Sequence, residues 1–339
     1  MAETPVPVPL RPIAITMGCP AGVGPEIIIK AFRERPEWLG SHGVLVFGDR
    51  AILKRAMDVL DVDIPIVGPG ADEYGIHLRE ITALDPDACP FGKVTGVTGR
   101  ASYEYIVEAT TAALKGQVSA VVTAPITKDG LRKAGIDYPG HTEILANLTG
   151  TRDYLMMLMG SRLKVVLVTI HIALKDVPAS ITRDKVLKAI KITAKGLRDD
   201  FGIERPRIGV AGLNPHAGES GLFGMEEKEV ISPAVKAARA AGIHCTGPHP
   251  PDTIFYRALN GEFDVVCAQY HDQGLIPLKL IHFEDGVNVT MNLPIVRTSV
   301  DHGTAYDIAG TGAASPLSLI KAVETAQQIA RCRQRQLQS

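Results

Sequence analysis

The sequence predicts an α/β fold with mostly parallel strands, carried in two domains or in one large α/β unit. Short β-branched runs alternate along the chain with longer stretches of helical spacing. The chain has 339 residues, more than one hydrophobic core usually serves. Three histidines each close an apolar run: Lys164 to His171, Arg207 to His216 and Asp264 to His271. In a parallel sheet the carboxyl ends of the strands form one edge, and ligands bind there.

Taken in order, a strand at Ile13 to Met17 runs into Gly18-Cys19-Pro20-Ala21-Gly22-Val23-Gly24 and a helix at Pro25 to Arg33. Glycines there allow a tight turn and close approach of backbone to a ligand, and the helix start offers N–H groups to an anion. A plain strand-to-helix turn with Pro25 at the first helical position explains the same residues. The third glycine of a dinucleotide fingerprint is missing after Gly22 and Gly24. Further strands are expected at Val44 to Phe47, Val118 to Thr123, Val165 to Thr169, Ile208 to Ala211 and Val265 to Gln269. Helices are expected at Ala51 to Leu60, Arg100 to Lys115, Arg183 to Arg198, Glu226 to Ala241 and Leu317 to Arg331. The turn-rich segment Pro125 to Gly140 is the expected first crossing between domains, and Pro139-Gly140-His141-Thr142-Glu143 is a polar loop able to reach an anion.

The three histidines are separated by 45 and 55 residues, so each must come from a different strand end. A lone histidine is more often a structural residue than a ligand. Repeated placement in equivalent positions favours a divalent-metal site with places left for substrate. The neighbours are polar, Gly-containing loop residues, and Asp272 and Glu219 are placed to orient imidazoles or move protons.

Downstream, Lys279, Asn288 and Arg297 are polar groups among apolar residues. A buried cation needs an anion, and a phosphate or carboxylate ligand supplies one, with Arg297 suited to bidentate contact. Pairing with Glu284, Asp285 or Asp301 is the other reading. Asp301 to Gly312 is dense in glycine and small polar residues, which suits close approach to a nucleotide and equally a surface loop.

Composition excludes several classes. Lys+Arg (36) and Asp+Glu (37) nearly cancel, leaving no basic field for nucleic acid. No apolar run approaches the roughly 20 residues of a membrane span. The proline-rich start, Met1 to Pro12, lacks a signal-peptide apolar core. Five scattered cysteines without metal-type spacing point to a reducing cytoplasm.

The blocks ITMGCPAGVGPEI, TAPITK, YPGHTE, GLNPHAGESGLFGMEE, PPDTIF, YHDQGLIPLK, GVNVT and RTSVDHGTAYDIAG occur in this order across residues 13 to 310. Together they resemble the PdxA family, the 4-hydroxythreonine-4-phosphate dehydrogenases of pyridoxal phosphate (vitamin B6) biosynthesis. GVGPE and HGTAYDIAG are also similar to loops of the wider isocitrate and isopropylmalate dehydrogenase superfamily. The resemblance implies two α/β/α domains with the active site in the cleft between them, residues 1–130 plus 300–339 forming one domain and 131–299 the other. It implies a homodimer with shared active sites, in which His171 and His216 of one subunit and His271 of the other bind a divalent metal (zinc, magnesium, cobalt or manganese). His141, Thr142, Lys279, Asn288 and Arg297 would hold a phosphorylated substrate. Gly22, Gly24, His302, Gly303, Thr304, Asp307 and Gly310 would serve NAD or NADP. Asp272 is the first candidate base or relay, with Asp252 and Lys128 behind it. The chain departs from the family at Cys19, where the usual loop reads Gly-Asp-Pro. If exposed, that thiol would be open to oxidation. Threonate or erythronate 4-phosphate, a cyclic diol dicarboxylate, and a metal-dependent hydrolysis are the competing activities.

Overall fold

The computed structural model describes residues 11–40 and 43–338. Most of the proline-rich start therefore lies outside the described residues. In chain order the strands are β1 (Ile13–Thr16), β2 (Val44–Asp49), β3 (Ile66–Val67), β4 (Ile76–Thr82), β5 (Ala120–Thr123), β6 (Leu155–Met159), β7 (Lys164–Leu167), β8 (Ile208–Ala211), β9 (Cys245–His249), β10 (Val265–Ala268), β11 (Val287–Met291) and β12 (Arg297–Val300). The helices are α1 (Gly24–Glu34), α2 (Arg50–Leu60), α3 (Gly96–Leu114), α4 (Lys128–Lys133), α5 (His141–Thr149), α6 (Val177–Ser180), α7 (Arg183–Asp199), α8 (Ser232–Ala240), α9 (Ile254–Leu259), α10 (His271–Ile281) and α11 (Leu317–Gln338). Two compact units result. The first is Met1–Gly150 with Pro294–Gln334, the second Thr151–Leu293 with Arg335–Ser339.

In the first unit the strand order is β3-β4-β2-β1-β5-β12, with parallel neighbours. Every residue of β1 (IAIT) and β5 (AVVT) is buried, as a parallel sheet covered on both faces requires. Helix α1 lays Ile27, Ile28, Ala31 and Phe32 into the core. Asp49 ends β2 and starts α2. Its Oδ1 accepts the Ile52 N–H at 3.1 Å, and its Oδ2 accepts the Thr82 hydroxyl at 2.9 Å and the Leu84 N–H at 2.7 Å.

The first crossing falls after Gly150, later than the segment Pro125 to Gly140 suggested. That segment stays in the first unit because α4 packs on α3 through a glycine pair: a Cβ on Gly99 would lie 1.9 Å from the Gly130 carbonyl oxygen. Gly150, at φ +66°, then ends α5 in the left-handed conformation that favours glycine.

In the second unit the order is β11-β6-β7-β10-β8-β9. Strand β6 is antiparallel to both β11 and β7, while β7, β10, β8 and β9 are mutually parallel neighbours. Strands β3, β4, β6, β9, β11 and β12 were not among the expected runs. Their sequences explain why: β6 is Leu and Met without β-branching, β9 contains Gly-Pro, and β11 and β12 interleave polar residues. Among the described residues no helix is long and apolar enough to cross a membrane.

Asp49→Ala removes a helix cap and strands the Leu84 N–H. It is expected to lower stability by about 3 kcal/mol, read as a shifted denaturant midpoint, with Asp49→Asn losing less.

Candidate active site

Strand β10 lies between β7 and β8, so three ends emerge side by side at one edge of the second unit. Two buried amides stitch them. The Thr169 hydroxyl donates to the Gln269 carbonyl at 2.7 Å, and Gln269 Nε2 donates to the Ala211 carbonyl at 2.7 Å. Gln273 Nε2 donates to the Gly212 carbonyl at 2.8 Å, while its Oε1 accepts the Gln269 N–H at 2.7 Å. Thr169, Ala211 and Gln269 are thus locked together just before the segments that carry the histidines.

The rings of His171 and His271 lie 5.7 Å apart, centroid to centroid. His271 begins α10, and its Nδ1 bonds Asp272 Oδ1 at 2.7 Å. His216 bonds Glu219 Oε2 through Nδ1 at 3.1 Å. In both residues a carboxylate occupies Nδ1 and leaves Nε2 for a ligand, the arrangement that orients metal-binding imidazoles. These donors fit a divalent cation. Within one chain, however, only part of the expected triad gathers: among the described residues no group of three or more His, Cys, Asp or Glu stands ready around one ion. His171 and His271 are brought together by the adjacency of β7 and β10.

Of the three candidate bases, Asp272 is engaged with His271, which makes it an orienting residue or relay. Asp252 is exposed on the turn before α9, and Lys128 is exposed at the start of α4 in the first unit. Lys279 lies in the last turn of α10, its Nζ 5.8 Å from the Phe283 ring centroid. Asn288, on β11, donates from Nδ2 to Met156 Sδ at 3.2 Å, while its buried Oδ1 accepts nothing from the described residues. That oxygen is a waiting acceptor for a donor group of a ligand.

In the first unit Arg297 and His141 belong to one neighbourhood. Arg297 opens β12 beside β5, is 2 % exposed, and donates to Thr123 Oγ1 at 2.8 Å. Burial pushes its pKa down to about 10, with Glu143 opposing the shift, so it stays cationic at neutral pH. Thr142 follows His141 in the first turn of α5, where backbone N–H groups favour an anion. The His141 ring is pushed down to about 3, first by burial and then by Arg297. It is therefore neutral. Its Nε2 lies 3.1 Å from the Ala124 carbonyl, which only accepts, so Nε2 carries the proton and Nδ1 is left as an acceptor. His141 thus suits a ligand's hydroxyl or ammonium better than an unprotonated phosphate oxygen.

The glycine loop and the loop after β12 meet in the same unit. Residues 13–29 are all buried. The Val23 N–H goes to the Thr304 carbonyl, and Cβ atoms on Gly22 and Gly24 would fall 2.9 Å from Thr304 O and 2.2 Å from Met17 O. The helix start is thus closed by the chain's own backbone, and Gly22 and Gly24 serve packing rather than direct contact with an anion. The loop 302–312 meets it with His302, Gly303 and Asp307 exposed, and Thr304 and Gly310 partly so. Two residues the sequence reading missed hold that loop. Glu26 accepts the Gly310 N–H at 2.6 Å and the Gly312 N–H at 2.8 Å, and Lys30 donates to the Gly312 and Ala314 carbonyls at 2.9 and 2.6 Å. A charged pair four residues apart at an otherwise apolar helix start was the available signal. Cys19 is buried and hydrogen-bonded to the Tyr306 hydroxyl at 3.2 Å, so the exposure that oxidation needs is absent.

Fold and site together define a mostly parallel α/β enzyme chain of two units, one bearing a buried cation beside a clamped glycine loop, the other an imidazole set at a strand edge. A family model described as "Pyridoxal phosphate biosynthetic protein PdxA" matches residues 41–326. A 4-hydroxythreonine-4-phosphate dehydrogenase of Desulforapulum autotrophicum is 49% identical, covering 93% of this chain and 94% of that protein. A D-threonate 4-phosphate dehydrogenase of Pectobacterium atrosepticum is 47% identical, covering 94% and 99%. The crystal structure of a 4-hydroxythreonine-4-phosphate dehydrogenase from Klebsiella pneumoniae superposes with a TM-score of 0.86 at 44% identity, covering 95% and 98%. The chain belongs to the PdxA family, and it is a dehydrogenase of that family, an NAD(P) oxidoreductase.

Because the folded His141 pKa of about 3 lies below the ordinary value near 6.5, the unfolded chain binds the extra proton first. Stability is expected to fall as pH drops from about 6.5 toward 3. Urea midpoints across that range should show a shallower acid loss in His141→Asn. An equal slope in both proteins would count against the buried neutral ring.

Proposed function

We propose that the chain oxidises 4-phosphooxy-L-threonine with NAD or NADP to 2-amino-3-oxo-4-phosphooxybutanoate. This β-keto acid then loses CO2 to give 3-amino-2-oxopropyl phosphate, which feeds pyridoxal phosphate synthesis. What supports the reading is the 49% identity, over 93% of the chain, with a 4-hydroxythreonine-4-phosphate dehydrogenase, together with a buried, cationic Arg297 beside the His141 that opens α5, a charge suited to a phosphate. Gripping that remote phosphate fixes the carbon to be oxidised without touching it. His171, His216 and His271 would hold a divalent cation, which would supply Lewis acidity toward the hydroxyl and carboxylate, and a bound dinucleotide would serve as the hydride acceptor. Asp272 holds the His271 ring through Nδ1. His141 Nδ1 and Asn288 Oδ1 offer acceptors to substrate donor groups. Glu26 and Lys30 keep the loop 302–312 in one conformation for the dinucleotide.

D-Threonate 4-phosphate is the second reading, since relatives of nearly equal identity carry that name. It differs by a hydroxyl in place of the ammonium at C2, and both are donors that an orphan Asn288 Oδ1 can meet. A homodimer is proposed with either substrate. Support comes from α10, where Ile276 and Leu280 are 67% and 86% exposed, with Phe283 at 75% one turn on. An apolar stripe of that spacing, beginning one turn after His271, is suited to cover by a second copy of the chain.

Two outcomes are expected. Dinucleotide reduction followed optically should give a kcat/KM at least tenfold higher for 4-phosphooxy-L-threonine than for D-threonate 4-phosphate, and the reverse ratio would transfer the assignment. Arg297→Gln should raise the KM for the phosphorylated substrate tenfold or more while changing the dinucleotide KM by less than about twofold. Equal effects on both would remove Arg297 from the phosphate site.

A further inference from the structure

His216 stands on a backbone conformation that L residues avoid. Five consecutive residues, His216, Ala217, Gly218, Glu219 and Ser220, have φ of 52°, 54°, 81°, 42° and 59°. This is a left-handed turn in which only Gly218 escapes the clash of Cβ with the following carbonyl. Such a run persists only where its surroundings over-determine it. The group that does so is Glu227. This side chain is 3% exposed, yet its Oε1 accepts the Leu213 and Asn214 N–H groups, each at 2.7 Å, and its Oε2 accepts Asn214 Nδ2 at 3.0 Å. A second carboxylate, Glu226, takes the other side of the same amide at 2.8 Å. The turn closes directly over Glu227: a Cβ on Gly218 would lie 2.6 Å from Glu227 Oε2. The recorded hydrogen bond of the His216 ring runs to the exposed Glu219, so any influence of Glu227 on His216 passes through the backbone.

We propose that Glu227 is a positioning residue: its buried carboxylate fixes the left-handed turn that presents His216, and so sets the affinity of the imidazole set for a divalent cation. The inference rests on the reading of His216 as a metal ligand. Glu227 is itself too deeply enclosed by backbone donors to be a ligand.

The test uses the full chain, stripped of metal and titrated with Co2+ or Zn2+. Glu227→Gln keeps the volume and one acceptor oxygen but turns a donor toward Asn214 Nδ2. Gly218→Ala keeps the carboxylate and displaces it, which covers the case in which the first variant does not fold. His216→Ala is the reference. Amide hydrogen exchange over residues 213–220 in the metal-free protein is expected to rise at least tenfold in Glu227→Gln. Metal affinity should fall at least tenfold, approaching that of His216→Ala, while dinucleotide affinity changes less than twofold. Gly218→Ala should shift exchange and affinity in the same directions. Faster exchange with unchanged metal affinity in both variants, beside a weakened His216→Ala, overturns the proposal and leaves the metal reading standing. Unchanged metal affinity in His216→Ala itself shows instead that the metal reading has failed, and the proposal falls with it.

Discussion

A buried carboxylate must collect hydrogen bonds, and this constraint places the reactive segments of the molecule. Asp49, Glu26 and Glu227 are all buried. Each accepts two or more backbone N–H groups, in Asp49 and Glu26 from a loop distant in sequence. Taking an ionised carboxylate out of water costs several kcal/mol, and charge-assisted bonds from backbone N–H groups offset it. The reverse also holds: a loop whose amides converge on such a group has few other conformations open to it. Gly310 and Gly312, at φ +85° and +71°, turn two amides toward one carboxylate, a geometry that side-chain-bearing residues adopt only at a cost. Glu26 gains further from its place in the first turn of α1, where the helix favours negative charge.

The two units solve their positioning problems with different chemistry. In the first, the charged side chains of Glu26 and Lys30 clamp the loop 302–312. In the second, the strand ends beneath the histidines are joined by neutral amides, Gln269 and Gln273. Amide bonds join the strand ends, whereas the turn that bears His216 is held by a buried charge, the Glu227 carboxylate. The strain at His216 fits the same picture. A left-handed turn costs on the order of 1–2 kcal/mol for each residue bearing a Cβ, a sum the fold sustains only because Glu227 and Asn214 leave the turn no alternative. Aiming an imidazole needs a backbone that does not relax.

Much of this was legible before any coordinates. Buried parallel strands announce themselves as β-branched runs, and β1, β2, β5, β7, β8 and β10 all fall where such runs lie. Adjacent strand ends then deliver His171 and His271 to one edge, whatever their separation in sequence. Other parts carried no local signal. Helices α5 and α10 begin at polar His-Thr-Glu and His-Asp-Gln-Gly stretches that read as loops, and α10 contains Pro277. Tertiary contacts override those propensities. Nor does composition reveal whether a glycine makes room for a ligand or for the chain itself. Gly22 and Gly24 read either way in sequence, and only the nearness of Thr304 and Met17 decides for the chain.

Cys19 shows how a local departure is absorbed. The thiol sits in a fully buried stretch and meets the Tyr306 hydroxyl, whose pKa burial raises above its ordinary value. A protonated phenol needs only a modest partner, and sulfur is one. The contact thus ties the glycine loop to the loop 302–312 beside the stronger clamp of Glu26 and Lys30. Because four charge-assisted bonds to backbone already fix that loop, the weaker bond through sulfur is not what holds it. With those bonds in place, the position of the loop 302–312 does not depend on the side chain at residue 19.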